Sequence, residues 1–169
     1  MRLYGGQVPV IAEDILRVLK KEDALEIEPE NVDEVKLDIE SVLREYIRMD
    51  REVTTLARDQ AAQTGQSLGR AKRSVARDKG FEVGDDAIAY IINQLIETFL
   101  HSQFVEEVYA EDNDFRRHIK PILARASDQD EKLDREVRDK IKNIEEGSAA
   151  WDVEYQKAMG KLKRNKNLE

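Results

Sequence analysis

Apolar residues recur along most of this chain at alternating spacings of three and four, which is the period of an amphipathic α-helix. The first such stretch runs from about Gln7 to Glu22, and a short connector follows it. A second stretch starts near Asn31 and reaches Gln63, with apolar positions that repeat over more than three heptads. A heptad pattern of this length is typical of a long helix packed lengthwise on another helix. This part of the chain therefore predicts a short helix, a connector and a long helix.

The apolar pattern of residues 8–43 returns at residues 88–123 without a gap. The acidic run 26–34 likewise matches the acidic run 106–114. In a chain built from repeated units, each unit buries one face against its equivalent. We therefore predict two copies of one helix–connector–long-helix unit, with equivalent residues buried in both. The pairs that test this prediction are Ile15 with Leu95 and Ile39 with Ile119.

The tetrapeptide Asp-Arg-Glu-Val occurs at residues 50–53 and again at residues 134–137. Its offset of 84 residues exceeds the offset of 80 between the units, so the second copy carries four extra residues. Four residues inserted into a heptad pattern shift the apolar stripe and produce a stutter. Pro121 has no counterpart in the first copy, and we expect it to kink or restart the second long helix.

These patterns predict an all-α, elongated protein, with helix in more than about 65% of its residues. The first helical repeat takes residues 1–63, a linker with a basic helix takes residues 64–84, and the second repeat takes residues 85–147. A C-terminal helix and tail occupy residues 148–169. Gly147-Ser148 should end the second long helix.

We expect the two long helices to pack on each other as a coiled-coil-like stem. The helix pairs 7–45 and 85–125 should then diverge from this stem as two arms. The C-terminal helix should cover residues 149–159, and the polar residues 160–169 should fray, as chain ends commonly do.

Composition favours helices with solvated outer faces. Charged residues make up 38% of the chain and aromatic residues 6%, with only eight glycines and three prolines. The absence of cysteine excludes disulfides and thiolate metal sites, and it suits a reducing compartment. No stretch has the pattern of a signal peptide or a membrane span, so we expect a cytoplasmic protein with no membrane partner.

The net charge of −8 hides a strong local asymmetry. Residues 22–40 hold nine carboxylates against one lysine, whereas the predicted basic helix 68–79 carries five cations against one aspartate. Three of these cations fall at the spacings i, i+3 and i+7, so they share one face of the helix, and the other two flank it. The candidate partner-binding residues are therefore Arg70, Lys72, Arg73, Arg77 and Lys79.

Two interpretations of this basic helix are compatible with the sequence. Its cations can pair with the acidic runs of the same chain, 22–40 or 106–114, or they can stay exposed for a partner. We expect a protein partner, whose identity the sequence leaves open together with the oligomeric state. A nucleic-acid partner is less favoured, because no aromatic residues interleave with the cations.

No set of residues indicates catalysis. Residues 65–69 fit the Gly-x-Ser-x-Gly pattern of a hydrolase nucleophile elbow, but no apolar strand precedes them to form the required sheet. We interpret Ser67 instead as the N-cap of the basic helix. His101 and His118 are isolated, and without cysteine they do not suggest a metal site, so no cofactor is expected.

Four stretches of the chain have a distinctive combination of residues. They are Met1-Arg2-Leu3, Lys79-Gly80-Phe81, the run 134–141, and the closing stretch 146–155 with its tryptophan and tyrosine. Together they resemble a family of uncharacterised bacterial proteins, the domain-of-unknown-function family 507, over the whole length of the chain. The resemblance implies an α-helical, elongated protein, and it implies no activity, cofactor or catalytic residue.

The sequence thus favours a non-enzymatic helical interaction or scaffold protein. Its support is the charge asymmetry, the heptad seams and the lack of convergent catalytic groups. The alternative is a nucleic-acid- or ribosome-associated factor that uses the basic helix 68–79.

Overall fold

The computed structural model describes residues 1–146 and 148–169. Helical residues make up 76% of the chain, so the predicted all-α fold and its high helical content are confirmed. The described elements are, in chain order, α1 (Val8–Lys21), β1 (Leu25–Glu26), α2 (Val32–Thr64), α3 (Leu68–Asp78), α4 (Ala87–His101), β2 (Glu107–Val108), α5 (Asp112–Lys140) and α6 (Ala149–Asn165). Single 3-10 turns at Gly5–Gln7, Pro29–Asn31 and Gly84–Asp86 lead into α1, α2 and α4.

Each of the two predicted units folds as a helix, a two-residue strand and a long helix. Within the units, α1 packs against α2 and α4 packs against α5. Between the units, α1 packs on α5 and α4 packs on α2, while β1 and β2 pair antiparallel with Leu25 opposite Val108. One large apolar cluster includes residues of all four helices, so the two units share a core.

Residues at equivalent positions of the two units are buried in both. Ile15, Leu95, Ile39 and Ile119 all have 0% of their surface exposed, as the apolar pattern predicts. Such burial is what a duplicated unit requires, because each copy must cover the same stripe of its helices. The duplication itself stays a prediction.

The long helices pack differently from the predicted stem. The distal half of α2 is covered by α3, and the distal half of α5 is covered by α6, in two αα-hairpins. The helix pairs 7–45 and 85–125, which were expected to diverge, instead meet in the shared core. The physical reason is that each short helix folds back on the long helix before it and buries that helix's apolar seam.

The molecule has a large surface for its mass. Its accessible area is 10419 Å² at 19.5 kDa, whereas a compact monomer of this mass exposes roughly 8,500 Å². The excess agrees with the elongated shape that the long helices predict.

Helix α5 runs through Pro121 without interruption, so the predicted restart does not occur. Ile119 and Leu123, on either side of the proline, are both 0% exposed, and this packing keeps the helix continuous. The end of α5 also differs from the prediction, since the helix stops at Lys140 and turns follow. Gly147, the predicted end, lies outside the described residues.

The C-terminal segment is ordered to its last residues, so the prediction of a frayed tail is wrong. Helix α6 continues to Asn165, and Leu168 beyond it is only 7% exposed. Leu168 belongs to a second apolar cluster, which also contains Tyr4 and the facing residues of α5 and α6. Leu168 helps to anchor the tail, because Tyr4 of the N-terminal segment and the facing residues of α5 and α6 offer it a packing surface.

Candidate interaction face on helix α3

Helix α3 is positioned by the turn that separates it from α2. Gly65 ends α2 with a φ of +70°, a left-handed conformation that glycine adopts without strain. The Ser67 hydroxyl then accepts a hydrogen bond from the backbone N–H of Arg70 at 3.3 Å, so the predicted N-cap is confirmed. The chain reverses direction here, and α3 runs back along α2.

The face of α3 that meets α2 is made of small apolar residues. Ala71, Val75 and Ala76 are buried and belong to the same apolar cluster as Val53 and Ala57 of α2. Small side chains on both helices let the two backbones approach closely. This packing fixes which side of α3 points away from the protein.

Two of the five predicted cations are bound to α2. Lys72 Nζ lies 2.7 Å from Asp50 Oδ1, as an ion pair that does not meet hydrogen-bond angles, and Lys79 Nζ donates to Glu52 Oε1 at 2.6 Å. The hydrogen bond from Lys79 is the main reason that the pKa of Glu52 falls below its ordinary value, and Arg48 at 2.9 Å adds to it. These lysines stabilise the helix pair, with partners outside the acidic runs 22–40 and 106–114.

The three arginines form the outward face of α3. Arg70 and Arg73 are exposed, and in the described part of the chain no carboxylate lies within 4.0 Å of either guanidinium. Arg77 has a side chain that is 80% exposed, and among the described residues it forms one loose ion pair of 3.8 Å, to its neighbour Asp78. A stripe of positive charge therefore faces solvent on a protein of net charge −8.

Each copy of the repeated tetrapeptide holds a short helix against a long helix. The recurrence marked both positions in the sequence, but it did not indicate this role. In the second copy, the Tyr155 hydroxyl of α6 donates to Asp134 at 2.6 Å, and Lys166 Nζ, just after α6, donates to Glu136 at 2.6 Å. The valines that end both copies, Val53 and Val137, are 0% exposed. The recurrence at residues 50–53 and 134–137 was the sequence signal for this pair of anchors.

Other chemistry considered in the sequence has a simple place in the fold. Residues 65–69 form the turn and the first residues of α3, and helix α2 rather than a strand leads into them. His101 closes α4, where its ring nitrogen lies 2.8 Å from the carbonyl oxygen of Glu97. Among residues 1–146 and 148–169, no three His, Asp or Glu side chains are grouped so as to hold a metal ion. No helix of the described residues has both the length and the apolar character needed to cross a bilayer.

Fold and surface together define an all-α protein in which two helix–strand–long-helix units share a core and each long helix carries a folded-back short helix. A family model described as a protein of unknown function, DUF507, matches residues 1–168. The chain therefore belongs to the DUF507 family. No curated protein matches it in sequence.

Proposed function

We propose that this protein is a non-enzymatic interaction protein that presents the outward face of α3 to an acidic surface of a protein partner. The observation that carries the proposal is the division of the basic helix into two sets of cations. Lys72 and Lys79 are paired with α2, whereas Arg70 and Arg73 are exposed, with no carboxylate of the described residues within 4.0 Å of them. Arginine suits such contacts, because its planar guanidinium binds carboxylates through two parallel hydrogen bonds.

A protein partner suits this face better than a nucleic acid does. The three arginines occupy one side of an 11-residue helix, and no aromatic side chain is available beside them on α3 to stack on bases. The net charge of −8 repels a polyanion from the rest of the surface. An acidic protein surface needs only a local match of charge.

A charge-reversal variant tests the proposal. Replacing Arg70, Arg73 and Arg77 together by Glu should leave the thermal unfolding curve nearly unchanged, because exposed charges of this kind contribute only about 0–1 kcal/mol each. A pull-down from a lysate of the source cells should then lose the protein that the wild type retains. Nuclease treatment of the lysate should not release that protein from the wild type.

The matched control reverses three exposed lysines elsewhere, Lys120, Lys132 and Lys142, which gives the same change of net charge. This control should retain the partner. Retention of the partner by the α3 variant, or equal loss in both variants, contradicts the proposal. Loss on nuclease treatment, together with a gel shift that weakens steeply with added salt, would favour the nucleic-acid alternative.

A further inference from the structure

A cleft of about 930 Å³ opens between α2 and the α5–α6 hairpin. The first four residues of the chain and the last two also line it, so the cleft lies where both chain ends meet the two hairpins. It continues into a recess of about 760 Å³ that shares Arg2, Arg58 and Lys163 with it. These volumes are in the range of small-molecule sites, roughly 300–1,000 Å³.

Five cationic side chains line this cleft, and besides Arg58 and Lys72, which pairs with Asp50, they are Arg2, Arg51 and Lys163. Arg2 comes from the N-terminal segment, Arg51 from α2 and Lys163 from α6. Two of these cations make cation–π contacts with the ring of Tyr4. The Arg2 guanidinium carbon lies 5.3 Å and the Lys163 ammonium nitrogen 4.9 Å from the ring centroid. Burial is the largest cause of a lowered pKa at Lys163. The charges of Arg2 and Arg51 lower that pKa further, while those of Asp130 and Glu169 act in the opposite direction.

None of these three cations forms an ion pair within the described part of the chain. Over residues 1–146 and 148–169, no carboxylate lies within 4.0 Å of the charged nitrogens of Arg2, Arg51 or Lys163. Other carboxylates of the cleft are already engaged, since Asp50 pairs with Lys72 and Asp130 accepts a hydrogen bond from the Tyr4 hydroxyl. The remaining acidic groups of the cleft are Asp128 and Glu131 on α5 and, at the chain end, Glu169, whose side chain lies 3.7 Å from Arg164.

Like charges that converge without a counter-ion repel each other, and this repulsion opposes folding. A bound anion would relieve the repulsion, and this relief would contribute favourably to the free energy of anion binding. Two guanidinium groups and an ammonium complement the double negative charge of a phosphate, which arginine binds through paired hydrogen bonds. The ammonium of Lys163 acts as a half-buried point charge, so solvent screens it less than an exposed lysine.

We propose that this cleft binds the phosphate group of a small phosphorylated ligand, held between Arg2, Arg51 and Lys163. A small ligand fits better than a nucleic-acid strand, because Asp128 and Glu131, which also line the cleft, repel an extended chain of phosphates. This site is separate from the arginine face of α3 and does not depend on the function proposed for that face.

The test is a titration of the full chain with pyrophosphate, followed by backbone amide NMR at constant ionic strength. Sodium chloride replaces pyrophosphate in the reference titration. We expect saturable shifts at residues 2–4, 50–52 and 162–164. Arg51→Met and Lys163→Met should each weaken binding by about tenfold or more, since each removes charged hydrogen bonds to the phosphate. Methionine keeps the apolar length of each side chain. The two substitutions lie on different helices, so a folding defect of one variant leaves the other as an independent test of binding.

Lys161→Met is the matched control, because Lys161 is an exposed lysine of the same helix that does not line the cleft. It should bind pyrophosphate as the wild type does, and so should the triple Glu variant of α3. Shifts that chloride reproduces, or equal weakening by Lys161→Met, would overturn the proposal. Tighter binding of a short single-stranded oligonucleotide at the same residues would assign the cleft to nucleic acid and overturn it as well.

Discussion

The α2–α3 hairpin and the α5–α6 hairpin are anchored by the same tetrapeptide but differ in what surrounds the anchor. In the α2–α3 hairpin the aspartate meets Lys72 of the short helix and the glutamate meets Lys79 just after it. In the α5–α6 hairpin the aspartate instead accepts a hydrogen bond from the Tyr155 hydroxyl. Burial is the larger cause and this hydrogen bond the next cause that raise the pKa of Tyr155 to about 12. The anchor therefore fixes where a short helix docks, while the docked residue type is free to change.

The cores of the two hairpins also differ. The α2–α3 interface uses small residues, and it is continuous with the large apolar cluster of the four-helix core. The α5–α6 interface has its own cluster, to which both chain ends contribute. Its buried members are Tyr4, Leu133, Val137, Ile141, Met159, Leu162 and Leu168. A small separate cluster opens without unfolding the rest, so the α5–α6 hairpin should be the less protected of the two.

The largest expected effect comes from placing a charge at the buried valine of either anchor. Val53→Asp and Val137→Asp each bury an unpaired carboxylate at a site that is 0% exposed, which should cost roughly 4 kcal/mol. Because Val53 belongs to the main core, its variant should unfold as a whole at lower denaturant concentration. Val137→Asp should instead open α6 locally, with fast amide exchange in α6 and protected amides in α1 and α4.

Exposed apolar residues on the same hairpins provide the controls. Leu56→Asp on α2 and Val153→Asp on α6 change residues that are 40% and 53% exposed, so both should be nearly neutral. Identical global unfolding in the two buried variants would show that the hairpins form one cooperative unit.

An intermediate effect is expected where the chain ends meet. A Cβ atom on Gly6 would lie 1.7 Å from the carbonyl oxygen of Asn167, so Gly6→Ala must displace the tail. The displacement should cost about 1–3 kcal/mol through lost packing of Leu168. Hydrogen exchange should rise at residues 162–168 and stay unchanged in α3.

Gly160→Ala is the matched control on the same hairpin. The nearest atom to its new Cβ would be the guanidinium of Arg164 at 3.6 Å, an ordinary contact. An alanine inside a helix should stabilise α6 by about 0.5–1 kcal/mol relative to glycine. Destabilisation by both substitutions would mean that the tail contact has no special role.

Much of the fold could be predicted from the apolar periodicity, and the errors of that prediction have local causes. The three–four spacing located all the long helices, but it also extended α5 too far. Ile141 and Ile144 continue the apolar spacing, yet they pack into the second cluster from the turns that follow Lys140. Period alone does not distinguish a helical residue from a turn residue that packs on the same cluster.

The candidate sites were predictable only in part. Spacing placed the arginines on one face of α3, but it gave no reason to separate them from Lys72 and Lys79. That separation depends on α3 folding back along α2, which brings Asp50 and Glu52 within reach of the lysines. The cleft had no sequence signal at all, because its cations lie far apart in the chain and only the packing of the hairpins brings them together.

The smallest expected effect concerns the acidic anchors, whose contribution to stability depends on pH in both hairpins. The pKa values of Glu52 and Asp134 are both lowered, Glu52 chiefly by the hydrogen bond from Lys79 and Asp134 chiefly by that from Tyr155. A carboxyl group with a lowered pKa in the folded state stabilises the fold above its ordinary pKa of about 4 and loses this contribution as the pH falls through the lowered value. Glu52→Gln and Asp134→Asn should therefore be less stable than the wild type at pH 7 and equal to it near pH 2.

Salt separates the two variants further. The stability difference of Glu52→Gln should shrink in 1 M sodium chloride, because its partners Lys79 and Arg48 are cations whose attraction salt screens. The difference of Asp134→Asn should shrink less, because its first partner is a neutral hydroxyl. Chemical denaturation at both pH values and both salt concentrations measures these stability differences.

A stability difference that persists at low pH would mean that the carboxylates act through packing rather than charge. Equal salt sensitivity would show that Arg138, 2.8 Å from Asp134, rather than Tyr155, is the partner that matters in the second hairpin.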